Sequence, residues 1–173
     1  GAGKTDLMCA LAFGLQAKRI LIIEPSKFLR TQTSDRLRRL ALLRTKELLS
    51  RGHDAPAVIE VKTTLRTTEQ WEALRHADAV VATPKTVSPE ENLVTSPPAD
   101  LFDVVFMDEA HHAAARTWHA IVKEFEQAQR VLLTATAFRR DRRRLPGRLV
   151  YHYPIGRALH DGIYSPAKFL AVE

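Results

Sequence analysis

One cysteine, Cys9, stands in the 173 residues, which excludes an internal disulfide and leaves too few thiolates for a zinc cluster. No apolar run approaches the length of a membrane span, and the opening residues lack the pattern of a signal peptide. A cytoplasmic protein with no membrane partner is the expectation. Internal repeats and low-complexity tracts are also missing. The length and the 45% hydrophobic content instead fit one α/β domain with a sizeable core.

Charge is present with a basic balance: 26 Lys and Arg stand against 20 Asp and Glu, with a pI near 9.8. That suits a polyanionic partner, and it equally suits a solvated basic face. The run Arg139 to Arg144 has the same two readings, a grip on phosphates or an exposed loop.

Gly3-Lys4-Thr5 supplies the last three positions of the phosphate-binding pattern G-x-x-x-x-G-K-[ST]. There, backbone N–H groups and a helix start cradle phosphates, the lysine reaches the β and γ oxygens, and the hydroxyl meets Mg2+. Gly1, Ala2, Gly3, Lys4 and Thr5 are therefore the candidate ATP-binding residues. Leu7 to Leu15, low in helix breakers, continues as a buried helix. The first glycine of the pattern, and the strand that should lead into it, would precede residue 1. The chain is thus expected to be a piece of a longer protein, with its first strand missing and poor folding on its own. The bland reading of the five residues is a flexible start before a helix.

Short apolar runs alternate with helical stretches, as in a mostly parallel sheet flanked by helices. The runs are Ile20 to Ile23, Val58 to Val61, Ala79 to Ala82, Val104 to Met107 and Val131 to Leu133. Between them, Phe28 to Ser50 reads as one helix with Leu37, Leu40, Ala41 and Leu48 on its apolar face. Thr68 to His76 and Ala113 to Ala128 read as helices too, and Tyr151 to Tyr153 as another strand. Residues 52–56 and 96–100 are loops.

Ligands of open parallel sheets bind beyond the carboxyl ends of the strands. Glu24-Pro25-Ser26, Thr83-Pro84, Asp108-Glu109 and Thr134-Ala135-Thr136 all fall at such ends, so the polar chemistry should gather on one rim. Asp108 suits a magnesium ligand and Glu109 a base that deprotonates water. The competing reading makes Asp108 a helix N-cap and Glu109 a first-turn acid; the phosphate loop tips the balance to catalysis. His111 and His112 lack the H-E-x-x-H spacing of a zinc pair, which leaves His111 as a hydrogen-bonding relay. Trp71 is expected to cover core and Trp118 to lie on a helix surface.

Taken in order, Gly-Lys-Thr, Pro25 to Gln32, Thr83-Pro84, Asp108-Glu109-Ala110-His111-His112 and Thr134-Ala135-Thr136 resemble the first RecA-like lobe of superfamily 2 DEAD/DEAH-box helicases and translocases. The tail Phe138 to Asp141 and Ala158 to Gly162 is similar to the branch holding the motor subunits of type I and III restriction enzymes. The resemblance implies a RecA-like P-loop NTPase over residues 1–150, truncated at its start, with 151–173 leading toward a second lobe absent from this chain. It implies ATP and Mg2+ as cofactors, held by Lys4, Thr5 and Asp108, with Glu109 on the attacking water. His111, Thr134, Ala135 and Thr136 would couple hydrolysis to movement. Pro25, Ser26, Lys27, Gln32, Thr83 and Pro84 would touch a nucleic-acid backbone, which positions a strand without reading its sequence. The restriction-motor likeness leans the polymer to DNA over RNA. Ala137 stands where that branch usually has Pro. Without the second lobe and its arginine fingers, whose loss lowers rates by about three to five orders of magnitude, the chain alone should be nearly inactive. Two other classes remain open: a P-loop phosphotransferase, and a non-catalytic nucleotide-binding module.

Overall fold

The computed structural model describes residues 3–49, 52, 54–89, 94–110, 116–135 and 147–163. The chain divides into a large unit, Lys4–Leu145, and a small one made of Gly1–Gly3 with Pro146–Glu173.

In the large unit, four-residue stretches of Ile, Leu, Val, Ala, Phe and Met form strands buried on both faces, the state that near-continuous apolar runs require. They are β1 (Ile20–Ile23), β3 (Ala79–Ala82) and β4 (Val104–Met107), joined by the edge strands β2 (Val58–Glu60) and β5 (Gln129–Leu132). All pairings are parallel and the order is β2-β3-β1-β4-β5. The sequence expectation of a parallel sheet holds, with shifts of one or two residues at the edge strands.

One face is covered by α1 (Lys4–Gly14), α2 (Lys27–Arg39) and α3 (Ala41–Thr45), where Met8, Cys9, Leu37, Leu40 and Leu43 pack on Ile20, Ile22 and Phe106. The other carries α4 (Thr68–Glu72), a following 3-10 turn (Ala73–His76), α5 (Pro84–Val87) and α6 (Arg116–Glu124). There Trp71, Leu74, Val87, Trp118 and Ile121 meet Leu21, Val80 and Val105. Trp71 is fully buried, stacks edge-on against Phe125 at 6.1 Å and donates its indole N–H to the Thr95 carbonyl at 2.9 Å.

Three expectations fail here. Trp118 is not a surface residue but 5% exposed, because α6 turns that face onto the sheet. The single helix from Phe28 to Ser50 is broken at Leu40, which takes a left-handed φ of 46° and donates its N–H to the Arg36 carbonyl. This is a C-terminal helix cap, normally glycine's role. The break carries Leu40 and Leu43 into the core and leaves Leu48 exposed, where one straight helix would have aligned Leu37, Ala41 and Leu48. Periodicity registers apolar spacing but not a kink that improves burial. Tyr151 to Tyr153, in the small unit, pairs with no strand among the described residues and leads instead into α7 (Ile155–His160). There the Tyr153 hydroxyl donates to Asp161 at 2.6 Å. The short α5 was not anticipated either; Pro84 at its first turn is the signal that marks it. Among the described residues, no helix is long and apolar enough to cross a membrane.

Candidate active site

The register levels the carboxyl ends of the central strands, since Ile23 pairs with both Ala82 and Met107. Backbone bonds then extend the ladder past the strands: Glu24 N–H to Ala82 O at 2.9 Å, Asp108 N–H to Ile23 O at 3.0 Å, and Leu133 N–H to Met107 O at 2.9 Å. The residues just beyond the strands are therefore held by the sheet itself rather than by a loose loop.

On that rim the Lys4 ammonium, at the start of α1, pairs with Asp108 Oδ1 at 2.9 Å and with Glu109 Oε1 at still closer range. These partners lie more than a hundred residues downstream. Burial works against the lysine's charge, yet its hydrogen bonds to Glu109 and Asp108 prevail and hold its pKa above the usual lysine value. Asp108 is 6% exposed. Its Oδ1 also accepts the Glu109 N–H at 2.9 Å, which fixes the carboxylate against the turn.

Glu109 itself sits at φ 50°, a conformation that a residue with a side chain enters at a cost of about 1–2 kcal/mol. Strain of this kind clusters where a side chain must be aimed. The turn is pinned on its far side by the Ala110 N–H bond to Leu133 O at 2.8 Å, which brings the Thr134-Ala135 segment beside the acids. Thr5 follows Lys4 in the first turn of α1 and is half-buried, and Gly3 before it adopts φ +79°, which glycine reaches freely. Gly1, Ala2, His111 and Thr136 lie outside the described residues, as do His112, Ala137 and the arginine run 139–144.

The remaining candidates surround this centre. Pro25 follows Glu24 out of β1, and Ser26 caps α2 by accepting the Leu29 N–H at 3.2 Å. Lys27 and Gln32 are exposed on that helix. Thr83, buried, and Pro84 begin α5, where the Thr86 hydroxyl donates to the Thr83 carbonyl at 2.9 Å. Ser26 and Thr83 thus have structural duties at helix starts in addition to any contact they make outward.

One rim residue is placed at a strand end by the sequence but given no role by it. Glu24 is completely buried; its Oε1 accepts from the Thr33 hydroxyl at 2.6 Å, and its Oε2 has no partner. Burial is the main reason its pKa rises to about 7; the Thr33 bond and Lys4 oppose that, while Asp108 and Glu109 reinforce it. Its signal was present in the sequence: Glu24 follows β1 just as Asp108 follows β4.

Chemically, an ammonium shared by two carboxylates is a group that an incoming phosphate can compete for. A hydroxyl and a carboxylate, Thr5 and Asp108, are the hard oxygen donors a small divalent cation takes alongside phosphate oxygens. No cluster of three or more His, Cys, Asp or Glu suited to a metal occurs among the described residues. A cation bound largely by phosphate and water needs none.

Residues 1–139 match the family described as type III restriction enzyme, res subunit. Among solved structures, the chain is similar to a hypothetical ATP-dependent RNA helicase from Sulfolobus tokodaii, with TM-score 0.55 and 24% identity over 79% of this chain and 39% of that one. The Pyrococcus furiosus Hef helicase domain gives TM-score 0.54 and 25% identity over 79% of this chain and 28% of that one. The UvsW helicase from bacteriophage T4 gives 0.50 and 21% over 78% and 44%. The chain therefore spans less than half the length of each of these. No curated protein matches it. The five-stranded parallel sheet with helices on both faces is a RecA-like fold, similar to that of those structures. A match running from residue 1 to residue 139 takes in every strand of the sheet, and the chain accordingly belongs to the type III restriction enzyme res subunit family.

Proposed function

We propose that this chain is the first lobe of a DEAD/DEAH-type motor that hydrolyses ATP to move on nucleic acid, DNA in preference to RNA. The observation that carries the reading is the contact of Lys4 with Asp108 and Glu109 at the carboxyl rim. In this reading residues 1–150 are the ATP-binding lobe and 151–173 lead to a second lobe.

Lys4 exchanges its carboxylate partners for the β and γ phosphate oxygens, and the start of α1 offers free N–H groups to the same anion. That exchange releases Glu109, whose strained backbone aims its carboxylate to orient a water and accept its proton. Thr5 and Asp108 would hold Mg2+, which would supply charge neutralisation at the phosphate oxygens. Thr134 and Ala135, tied to the acidic turn through Ala110 and Leu133, move with it and relay its state. Pro25, Ser26, Lys27, Gln32, Thr83 and Pro84 meet the polymer's backbone. The lobe by itself turns over slowly, because the cationic groups that complete such sites come from a second lobe.

The test is Glu109→Gln in the full-length two-lobe protein. Turnover should fall about 10²–10⁴-fold, the usual worth of a general base, with ATP affinity nearly unchanged. Undiminished hydrolysis removes Glu109 from that role. Adding DNA separates the motor from a P-loop phosphotransferase, since only the motor's hydrolysis rises with the polymer; equal response to RNA overturns the preference for DNA.

A further inference from the structure

Among the described residues, Glu24 is the one fully buried carboxyl at the rim that the proposed chemistry leaves unused. Its Oε1 receives the Thr33 hydroxyl at 2.6 Å while its Oε2 has no partner, in a residue of 0% exposure. Removing this carboxyl from water is costly, and an apolar residue would fill the place at the end of an all-apolar strand with less penalty. Something other than packing accounts for it.

Two kinds of contact meet at this side chain. Toward the site, the carbonyl of Ile23, the residue before Glu24, accepts the Asp108 N–H at 3.0 Å and the Glu24 carboxyl lies in the field of Asp108, Lys4 and Glu109, so any change in how Lys4 divides its charge between the two acids alters the field at Glu24. In a poorly screened interior such a change is felt strongly. Toward α2, the single bond to Thr33 reaches the middle of the helix that begins at Lys27 and is capped by Ser26. Thr33 is itself buried, at 2% exposure. Nearer the start of the helix, α2 is fixed to the sheet edge by Arg30, which donates to Glu60 at 2.9 Å and to the Val61 carbonyl at 3.0 Å. Thr31 also donates to Glu60 at 2.7 Å and Arg38 to the Val58 carbonyl at 3.3 Å, so the helix is tied to the outer strand at several points and to the rim through Thr33.

We propose that Glu24 is a positioning residue whose bond to Thr33 couples the Lys4–Asp108–Glu109 cluster to α2, so that contact at the head of that helix sets the rate of hydrolysis. The bond holds α2 in the register that matches one arrangement of the cluster, and rearrangement at either end alters it. The inference rests on the motor reading.

The experiment compares basal and DNA-stimulated ATPase in the full-length protein for wild type, Glu24→Gln, Thr33→Val and Thr33→Ser. Gln removes the charge while keeping an acceptor, Val removes the donor at equal size, and Ser keeps the hydroxyl. Glu24→Gln and Thr33→Val should each lower the stimulation ratio about fivefold or more, the scale of an ordinary coupling between sites. Basal turnover stays near wild type, Thr33→Ser restores the ratio, and the double variant is no worse than either single one. A stimulation ratio unchanged in both variants overturns the inference and leaves the motor reading intact. A parallel fall of basal rate, stimulated rate and melting temperature also overturns it, since that is a purely structural brace. If Glu24→Gln does not fold, the Thr33 pair decides alone. Absence of DNA stimulation in the wild type overturns the motor reading first.

Discussion

Replacing Glu24 by Gln should change the pH dependence of stability in a way that no surface carboxyl can. The folded carboxyl titrates at about 7 against 4.5 for an ordinary glutamate. Because the folded pKa is the higher one, the native state holds the proton more tightly than the unfolded chain. Between those two pH values the native state binds more protons, so this group's contribution to stability falls as pH rises. It is fully present below about pH 4.5 and gone once pH has passed about 7. At about 1.4 kcal/mol per unit, the gap amounts to about 3 kcal/mol. Gln carries no titrating proton and still offers an oxygen to Thr33, so the contribution should vanish. Urea unfolding of both proteins at a series of pH values from 4.5 to 8 measures it, and subtracting the curves cancels groups that titrate alike in both. The variant should gain about 3 kcal/mol relative to wild type on going from the acid end to the alkaline end. For a chain of this size that is a shift in melting temperature on the order of 10 °C. An infrared carbonyl band of a protonated carboxylic acid, fading near pH 7 and missing from the variant, is the direct signature. Parallel stability curves, or a Glu24 band already lost by pH 5, would refute the argument that burial governs this carboxyl.

Further consequences follow from other contacts. Glu109→Gly should be more stable than Glu109→Ala by about 1 kcal/mol, the reverse of the usual order, because φ 50° penalises any Cβ; equal melting midpoints would show that the turn relaxes. Arg30→Met removes the charge partner of the Glu60 carboxylate, a guanidinium 6% exposed, and leaves it the Thr31 hydroxyl at 2.7 Å; it should cost about 2–3 kcal/mol in urea unfolding, with most of it recovered when Glu60→Leu is added. Trp71→Ala empties a site of 0% exposure and orphans the Thr95 carbonyl, which should cost about 3–5 kcal/mol; a loss under 1 kcal/mol would mean the core closes over the gap. Lys4→Ala should weaken ATP binding about tenfold or more, as expected when a charged hydrogen bond is lost, read by titration with a fluorescent nucleotide. Unchanged affinity would detach Lys4 from the phosphates.

The sequence alone determined the sheet and the chemical inventory of its rim. Runs such as Ile20 to Ile23 and Val104 to Met107 are wholly apolar, a pattern only strands buried on both faces accept. The polar residues immediately after them, Asp108 and Glu109 among them, have nowhere to go but the carboxyl ends, and Lys4 is marked by the Gly-Lys-Thr pattern. Tertiary structure decided what depends on contacts between distant segments. Leu40 breaks α2 from α3 because a left-handed turn buries Leu40 and Leu43, a gain no local propensity records. Trp118 is buried by the rotation of α6, not by anything adjacent in sequence. Glu24 and Asp108 occupy equivalent strand-end positions, and only packing separates them: Asp108 receives the Lys4 ammonium, whereas Glu24 faces Thr33 with one oxygen unpaired. The charge state of a carboxyl is set by burial and neighbours rather than by its place in the chain, and that is why the sequence put these acids at strand ends without separating the buried, half-bonded Glu24 from the lysine-paired Asp108.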